Sequence, residues 1–215
     1  MMFKNREDAA KKLAKKLGWL KNENPIILAI PRGGAIVGNV IASELGAKLD
    51  IIVSRKIGAP DNQELAIGAV MHDRSYFPNE RLMIMLNVPQ NYINQEIDTQ
   101  MKEIERRLAK FRGSKEYDLK DRTVILVDDG VATGATMLVA ALWIQNQKPK
   151  KLIVGLPVGP KDTVDKLDVI ADKVIVLHSP VIFNAVGEFY QEFEQIDDCV
   201  VQEIMSKYGY KIKVF

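Results

Sequence analysis

Cysteine and histidine are scarce in this chain of 215 residues, which contains one cysteine, Cys199, and two histidines, His72 and His178. A single cysteine excludes an intramolecular disulfide and a zinc site built from several cysteines, and it is typical of a reducing compartment. Two histidines are too few to supply most of the ligands of a histidine-based metal centre. The composition therefore disfavours a disulfide scaffold or a metal held by Cys and His as the basis of function.

A strong excess of one charge and a long apolar run are also missing. The chain has 30 Lys and Arg against 28 Asp and Glu, a net charge of +2, so no one-signed field covers it. No apolar stretch approaches the ~18 residues that span a bilayer. The first ten residues, MMFKNREDAA, are charged and lack the apolar core of a secretory signal. We therefore expect a cytoplasmic protein whose partners are neither nucleic acid nor membrane.

Short apolar segments that alternate with helix-like segments make up most of the chain. Strands are predicted at 26–30, 49–53, 123–127, 152–156 and 174–177, with weaker candidates at 65–71 and 81–88. Helices are predicted from Asn5 to about Leu20 and at 35–45, 89–112, 137–147 and 162–171. This alternation predicts an α/β fold with a mostly parallel central sheet flanked by helices. No repeat or linker is visible, so the chain is interpreted as a single domain, 1–215.

Three loops that follow predicted strands carry polar or glycine-rich sequences: PRGG at 31–34, SRK at 54–56 and DDGVATGAT at 128–136. In a parallel sheet such loops meet at the same edge, where ligands bind. Taken singly, each is also typical of an ordinary turn or a solvated surface segment. Their common position predicts one shared ligand site.

The third loop is the most informative about the ligand. Thr133, Gly134 and Thr136 stand where the loop enters a helix, so backbone N–H groups and two hydroxyls can surround a phosphate. Asp128 and Asp129 would repel a phosphate, but they suit sugar hydroxyls or a hydrated Mg²⁺. A phosphate pocket beside a carboxylate pair predicts a sugar phosphate.

The segment VILVDDGVATGAT at 124–136 resembles the 5-phosphoribosyl 1-pyrophosphate (PRPP) signature of the type I phosphoribosyltransferases. That signature has four apolar residues, two acids, a short variable stretch and Thr-Gly-small-Thr, and every position matches. The stretches LDIIVSRKIGAPDNQELAIGAV, PRGG and VGEFYQEF further resemble a bacterial and archaeal phosphoribosyltransferase-like subgroup. The resemblance covers nearly the whole chain and implies the fold that the alternating pattern predicts.

The resemblance implies a role for each loop. Asp128 and Asp129 would bind the ribose hydroxyls. The 5′-phosphate would lie against Ala132, Thr133, Gly134, Ala135 and Thr136. The pyrophosphate would lie against Arg32, Gly33, Gly34, Arg55 and Lys56, and in the family the first of these two loops commonly contains a non-proline cis peptide. Arg32, Arg55 and Lys56 are then the catalytic candidates, because they would stabilise charge on the leaving pyrophosphate. The resemblance also makes 58–64 a flexible loop that closes over the site.

The implied activity is transfer of phosphoribose from PRPP to a nucleobase or related nitrogen acceptor. Mg²⁺ would be carried by PRPP, with Asp128 and Asp129 as candidate additional ligands and no dedicated protein cage. Ala132 disfavours a 6-oxopurine acceptor, because members acting on those bases typically place an aspartate there and alanine cannot transfer a proton. Adenine and uracil members both tolerate alanine, so these acceptors stay open.

A hood over the acceptor is predicted from about 178–215 with part of the N-terminus. Phe183 is the candidate base-stacking residue, and packing of this segment on the core is the competing interpretation. The resemblance also implies a homo-oligomer, with the 89–112 helix as a candidate interface. The alternative function is a non-catalytic regulator that senses PRPP or a nucleotide. Arg55 and Lys56 favour the enzyme, since a sensor has no leaving group to stabilise.

Overall fold

The structure, a computed structural model, describes residues 2–210. Its helices are α1 (Arg6–Leu17), α2 (Gly33–Leu45), α3 (Glu80–Met85), α4 (Gln90–Phe111), α5 (Ala135–Asn146), α6 (Lys161–Asp168) and α7 (Asp198–Lys207). Its strands are β1 (Ile26–Ala29), β2 (Lys48–Ile51), β3 (Ser54–Ala59), β4 (Asn62–Met71), β5 (Tyr76–Pro78), β6 (Thr123–Val127), β7 (Lys151–Val158) and β8 (Lys173–His178). Among residues 2–210, no helix has both the length and the apolar character needed to cross a membrane.

Five parallel strands form the central sheet, in the order β2-β1-β6-β7-β8, which confirms the predicted α/β class. β6 lies at the centre and is fully buried, and four of its five residues are β-branched, as suits a strand covered on both faces. Helix α2 packs on one face of the sheet and α5 on the other. The chain therefore winds in opposite directions from β1 and β6, and a crevice opens between their carboxyl ends.

The helix boundaries follow signals that are visible in the sequence. The Asn5 side chain caps α1 by accepting a hydrogen bond from the Asp8 N–H at 3.0 Å. Gly46 ends α2 in the left-handed conformation, with φ of 63°, where glycine carries no Cβ penalty. The long amphipathic segment expected at 89–112 is α4, and its buried stripe includes Ile93, Ile104 and Leu108.

A second, antiparallel sheet of β3, β4 and β5 corrects the loop predicted at 54–56. Arg55 and Lys56 lie in β3 and pair with Val70 and Ala69 of β4. The segment 58–64 forms the turn of the β3–β4 hairpin and the strand ends beside it. Within this segment Gly58 pairs with Ala66 and Ala59 with Asn62, and the register shifts at both positions, so the turn-rich composition corresponds to an irregular hairpin tip.

The strand predicted at 81–88 is wrong, because the chain forms α3 there. The Asn79 side chain accepts a hydrogen bond from the Leu82 N–H at 3.3 Å and caps the helix, and Glu80 lies in the first turn. Leucine and methionine, which dominate this segment, are good helix formers. The capping signal therefore outweighed the apolar run.

The start of the chain pairs with the segment between β8 and α7. Phe3 and Tyr190 form a parallel bridge, and the Phe3 N–H donates to the Phe189 carbonyl at 2.8 Å. The rings of Phe3 and Tyr190 lie 5.4 Å apart. The hood predicted from 178–215 includes this segment, and its last residues, 211–215, lie outside the described part of the chain.

Candidate active site

The PRGG loop lies directly against the acid pair at the carboxyl ends of β1 and β6. A Cβ atom on Gly33 would overlap Oδ2 of Asp129, and one on Gly34 would lie 2.9 Å from Oδ1 of Asp128. The Pro31–Arg32 peptide of this loop is cis. Only residues without a side chain allow so close an approach, so both glycines are required by packing against the acids.

The segment 132–136 is fixed at the start of α5. The Thr163 hydroxyl donates to the Ala132 carbonyl at 2.9 Å, and the Ser54 hydroxyl donates to the Thr136 carbonyl at 3.1 Å. Gly134 has a φ of 74°, a conformation that favours glycine. Because α5 begins at Ala135, the N–H groups of its first turn have no acceptor within the helix. This loop therefore offers a fixed set of backbone donors to an anion.

Asp128 and Asp129 share a partly buried position after β6. Oδ1 of Asp128 accepts a hydrogen bond from the Asp129 N–H at 2.8 Å. Burial raises the pKa of Asp128 well above its ordinary value, and the neighbouring charge of Asp129 raises it further. Two adjacent carboxyl groups in this environment suit a ligand that donates hydroxyl protons and not one that brings more negative charge.

Arg6 is a site residue that sequence reasoning missed. Its Nε donates to Oδ2 of Asp129 at 2.6 Å, and the two side chains are only 9% and 14% exposed. Its Nη1 donates to the Glu194 carbonyl at 2.9 Å, and its guanidinium carbon lies 3.8 Å from the centre of the Phe193 ring. The Tyr190 hydroxyl also donates to the Asp129 carbonyl. A positively charged residue in the first turn of a helix opposes the helix dipole. The position of Arg6 at the start of α1 was therefore the sequence feature that could have indicated a specific role for it.

The structure separates Arg55 from Lys56. Neighbouring residues of a strand point to opposite faces, so the two side chains diverge. Nε of Arg55 donates to Oε1 of Gln100 on α4 at 2.8 Å. Lys56 forms an exposed ion pair of 2.8 Å with Glu64 across the hairpin. Burial and the nearby charge of Arg107 lower the pKa of Arg55. Arg55 therefore faces α4, and Lys56 faces solvent.

Arg32 contributes differently through its backbone and its side chain. Its backbone belongs to the loop that abuts the acids, and it precedes the first residue of α2. Its side chain points instead toward α7, where Nη1 lies 3.6 Å from Oδ1 of Asp198. The guanidinium thus extends the site from the sheet edge toward α7.

Phe183 lies in an aromatic cluster after β8. Its ring stacks on Phe189 at 5.3 Å, and Phe189 meets His178 edge-on at 5.6 Å. Val186 of the same segment packs against the loop that follows Asp128 and Asp129, because a Cβ atom on Gly130 would lie 2.6 Å from a Val186 methyl group. The ring of Phe183 is half-buried within this segment, so packing and base stacking are both compatible with its position.

The acidic side chains do not form a protein cage for a metal ion. Within residues 2–210, no group of three or more His, Cys, Asp and Glu side chains is arranged to hold one. Arg6 engages Oδ2 of Asp129, which leaves that oxygen unsuited to a cation.

Comparison with known proteins shows the family of this chain. A family model described as the phosphoribosyl transferase domain matches residues 2–192. The chain belongs to the phosphoribosyl transferase domain family. Within the family, a Mycobacterium tuberculosis H37Rv protein named "Putative phosphoribosyl transferase" is 35% identical over 207 residues, 96% of this chain. The chain spans 47% of that relative's length.

A solved structure from Thermus thermophilus, that of the protein TT1426, is similar throughout. It is 34% identical with a TM-score of 0.83, and the match covers 97% of this chain and 99% of that one. The similarity therefore includes the terminal segments as well as the central sheet.

Proposed function

We propose that the protein is a phosphoribosyltransferase that transfers phosphoribose from PRPP to a nitrogen acceptor and releases pyrophosphate. The observation that carries this proposal is the contact of Gly33 and Gly34 with Asp129 and Asp128. This contact supports the proposal because the loop that would bind pyrophosphate lies beside the acid pair that would bind the ribose. In PRPP, the pyrophosphate and the ribose are joined through the C1′–O bond that the reaction breaks.

The remaining groups of PRPP match the site in order. The 5′-phosphate would accept hydrogen bonds from the backbone of 132–136 at the start of α5. The ribose diol would donate to Asp128 and Asp129, with Oδ2 of Asp129 held by Arg6. Mg²⁺ belongs to the substrate in this proposal, since it enters on the oxygens of PRPP.

The transfer itself would use the cations on the pyrophosphate side. The acceptor nitrogen donates its lone pair to C1′, and the electrons of the broken C1′–O bond pass to pyrophosphate. The guanidinium of Arg55 and the loop at Arg32 would stabilise that growing charge. Lys56 would join from the hairpin by exchanging Glu64 for the ligand, since an exposed ion pair is worth only about 0–1 kcal/mol.

The acceptor proposed is a nucleobase or related amine other than a 6-oxopurine. Ala132 carries no proton-transfer group, and its carbonyl is occupied by Thr163. Phe183 is the aromatic residue proposed to stack on the acceptor. We also propose that the protein acts in the cytoplasm as a homo-oligomer, as the family resemblance implies.

Calorimetry with PRPP and Mg²⁺ tests the binding part of the proposal. The double substitution D128N and D129N should weaken PRPP binding by a few kcal/mol, the scale of two charge-assisted hydrogen bonds. D118N is a matched control, because that carboxylate is 87% exposed and pairs with Arg122 at 3.7 Å. Equal affinities of the double variant and the control would refute the assignment of the diol.

Single-turnover kinetics separate an enzyme from a sensor. After a panel of bases and amines identifies an acceptor, R55A should reduce turnover by about a hundredfold, and reduce PRPP affinity much less. A sensor depends only on ground-state binding, so it should show no turnover with any acceptor. Equal losses in rate and affinity for R55A would remove its role in the transition state.

A further inference from the structure

Helices α4 and α7 form a charged cluster beside Arg32. The carboxylate of Asp198, the first residue of α7, contacts three cations. Oδ2 lies 2.8 Å from Nζ of Lys110 and 3.6 Å from Nη1 of Arg106, and Oδ1 lies 3.6 Å from Nη1 of Arg32. Two of these cations come from α4, and the third belongs to the candidate pyrophosphate loop.

The same helix also meets Arg55, the second candidate pyrophosphate residue. Gln100 of α4 accepts from Arg55, and one turn further along Glu103 binds both Arg106 and Arg107 at 2.7 Å. The charge of Arg107 disfavours the protonated form of Arg55. Arg55 therefore contacts α4 directly, and Arg32 is linked to the same helix through Asp198, which also contacts Arg106 and Lys110.

Positive charge is in excess in this cluster. Its cations are Arg32, Arg55, Arg106, Arg107 and Lys110, and its carboxylates are Glu96, Glu103 and Asp198. Five cations against three carboxylates leave the cluster suited to an additional anion of two charges, such as a magnesium pyrophosphate complex.

The geometry around Asp198 is that of a poorly filled anion site. Only Lys110 lies within hydrogen-bond distance, whereas both guanidinium contacts are 3.6 Å, too long for a hydrogen bond. One carboxylate does not reach all three cations at hydrogen-bond distance. A pyrophosphate has more oxygens and a longer reach, so it can satisfy all three.

Arg106 is already oriented for such a ligand. Its Nε and Nη2 donate to the two oxygens of Glu103 at 2.7 and 3.0 Å. These hydrogen bonds lower the pKa of Glu103 to about 2, so that carboxylate stays charged. Nη1 is left to face Asp198. The bidentate pair thus fixes the guanidinium plane and presents one edge to the cluster.

We propose that Arg106 and Lys110 are further pyrophosphate-binding residues, and that the Asp198 carboxylate occupies the position of the pyrophosphate beside them and competes with it. This inference rests on the proposed function. Binding of pyrophosphate would displace the Asp198 carboxylate from Arg32, Arg106 and Lys110. Removing the carboxylate should therefore improve binding, although it removes three ion contacts.

Titration of inorganic pyrophosphate with Mg²⁺ at fixed ionic strength tests the inference. D198N should bind pyrophosphate about threefold more tightly, the scale of one partly exposed ion pair, and R106Q and K110Q should each bind about tenfold more weakly. R74Q is the control, because Arg74 pairs with Asp98 of the same helix at 2.6 Å, well exposed and outside the cluster. Ribose 5-phosphate lacks pyrophosphate, so its affinity should stay unchanged in every variant.

The outcomes separate this inference from the proposed function. Unchanged or weaker pyrophosphate binding by D198N, or an R106Q variant that matches R74Q, overturns the inference. If D198N loses its folded circular-dichroism signal, D198S is measured instead, because it also removes the carboxylate and keeps a small polar side chain in the first turn of α7. A wild-type protein that binds neither PRPP nor ribose 5-phosphate refutes the proposed function, and this inference with it.

Discussion

Replacing Arg6 by glutamine should destabilise the protein and misplace Asp129. The ion pair of these residues is 2.6 Å long, and their side chains are 9% and 14% exposed, so it is largely buried. Breaking a buried pair from one side leaves an uncompensated charge and costs about 3–5 kcal/mol. Glutamine retains one amide donor, so we expect a loss at the lower end of that range. Without Arg6, the charge of Asp129 would lie uncompensated beside Asp128, whose pKa is already raised by burial and by Asp129, and this adds to the loss of stability.

Urea denaturation and PRPP calorimetry measure the two consequences. The free energy of unfolding of R6Q should fall by about 3 kcal/mol. PRPP affinity should fall by about 1.5–3 kcal/mol, because the loss corresponds to one misplaced charge-assisted hydrogen bond. K161Q is a matched control: Lys161 and Asp165 form an exposed pair, 77% and 55% exposed, worth about 0.3–0.5 kcal/mol.

A double-mutant cycle with D129N gives the decisive result. If Arg6 acts by neutralising and orienting Asp129, R6Q combined with D129N should be less destabilised than the two single losses added together. Additive losses would show that Arg6 acts through Phe193 and Glu194 alone. A stability loss no larger than that of K161Q would refute the reasoning from burial.

Three further predictions concern single positions. G33A should weaken PRPP binding because its methyl group would displace the Asp129 carboxylate, and D129A should partly rescue the stability of G33A, as measured by urea denaturation. G134V should abolish ribose 5-phosphate binding in calorimetry, because a Cβ atom there overlaps Thr163 and the φ of 74° disfavours a β-branched residue. Burial lowers the pKa of His72, so neutral His72 favours the fold: stability is fully present above about pH 6.5 and is lost as the pH falls through the lowered pKa. Thermal melts from pH 7 to 5 should therefore show a steeper loss for the wild type than for H72F, and parallel curves would contradict this.

The sequence alone predicted the central parallel sheet and two of the loops at its carboxyl edge, PRGG at 31–34 and DDGVATGAT at 128–136. β6 was predictable because five consecutive apolar or β-branched residues suit a strand covered on both faces. The loop after it was predictable because Thr-Gly-Ala-Thr at a helix start offers backbone donors and hydroxyls to an anion. The parallel order of the strands then required the PRGG loop and the acid pair to share an edge. These features depend on local composition and on a general rule of topology.

Local sequence was misleading where two signals competed. The apolar residues at 81–88 suited a strand, and only the cap at Asn79 indicated α3. Glycine, proline and asparagine at 58–64 predicted a loop, and the segment forms a hairpin tip in which Gly58 pairs with Ala66 and Ala59 with Asn62. Pairing depends on a partner strand, so residue preference in one segment could not decide it.

Only the tertiary structure decided which charged side chains meet. Arg6 and Asp129 are 123 residues apart in the chain, and Arg32 reaches Asp198 across an even longer separation. Charged residues are common on every helix surface, so no local pattern distinguishes these from solvated ones. The alternation of side chains in β3 likewise turned Arg55 toward α4 and Lys56 away from it. Such contacts depend on the packing of distant elements, so the sequence identified the candidate loops, and the fold determined which charged side chains lie beside them.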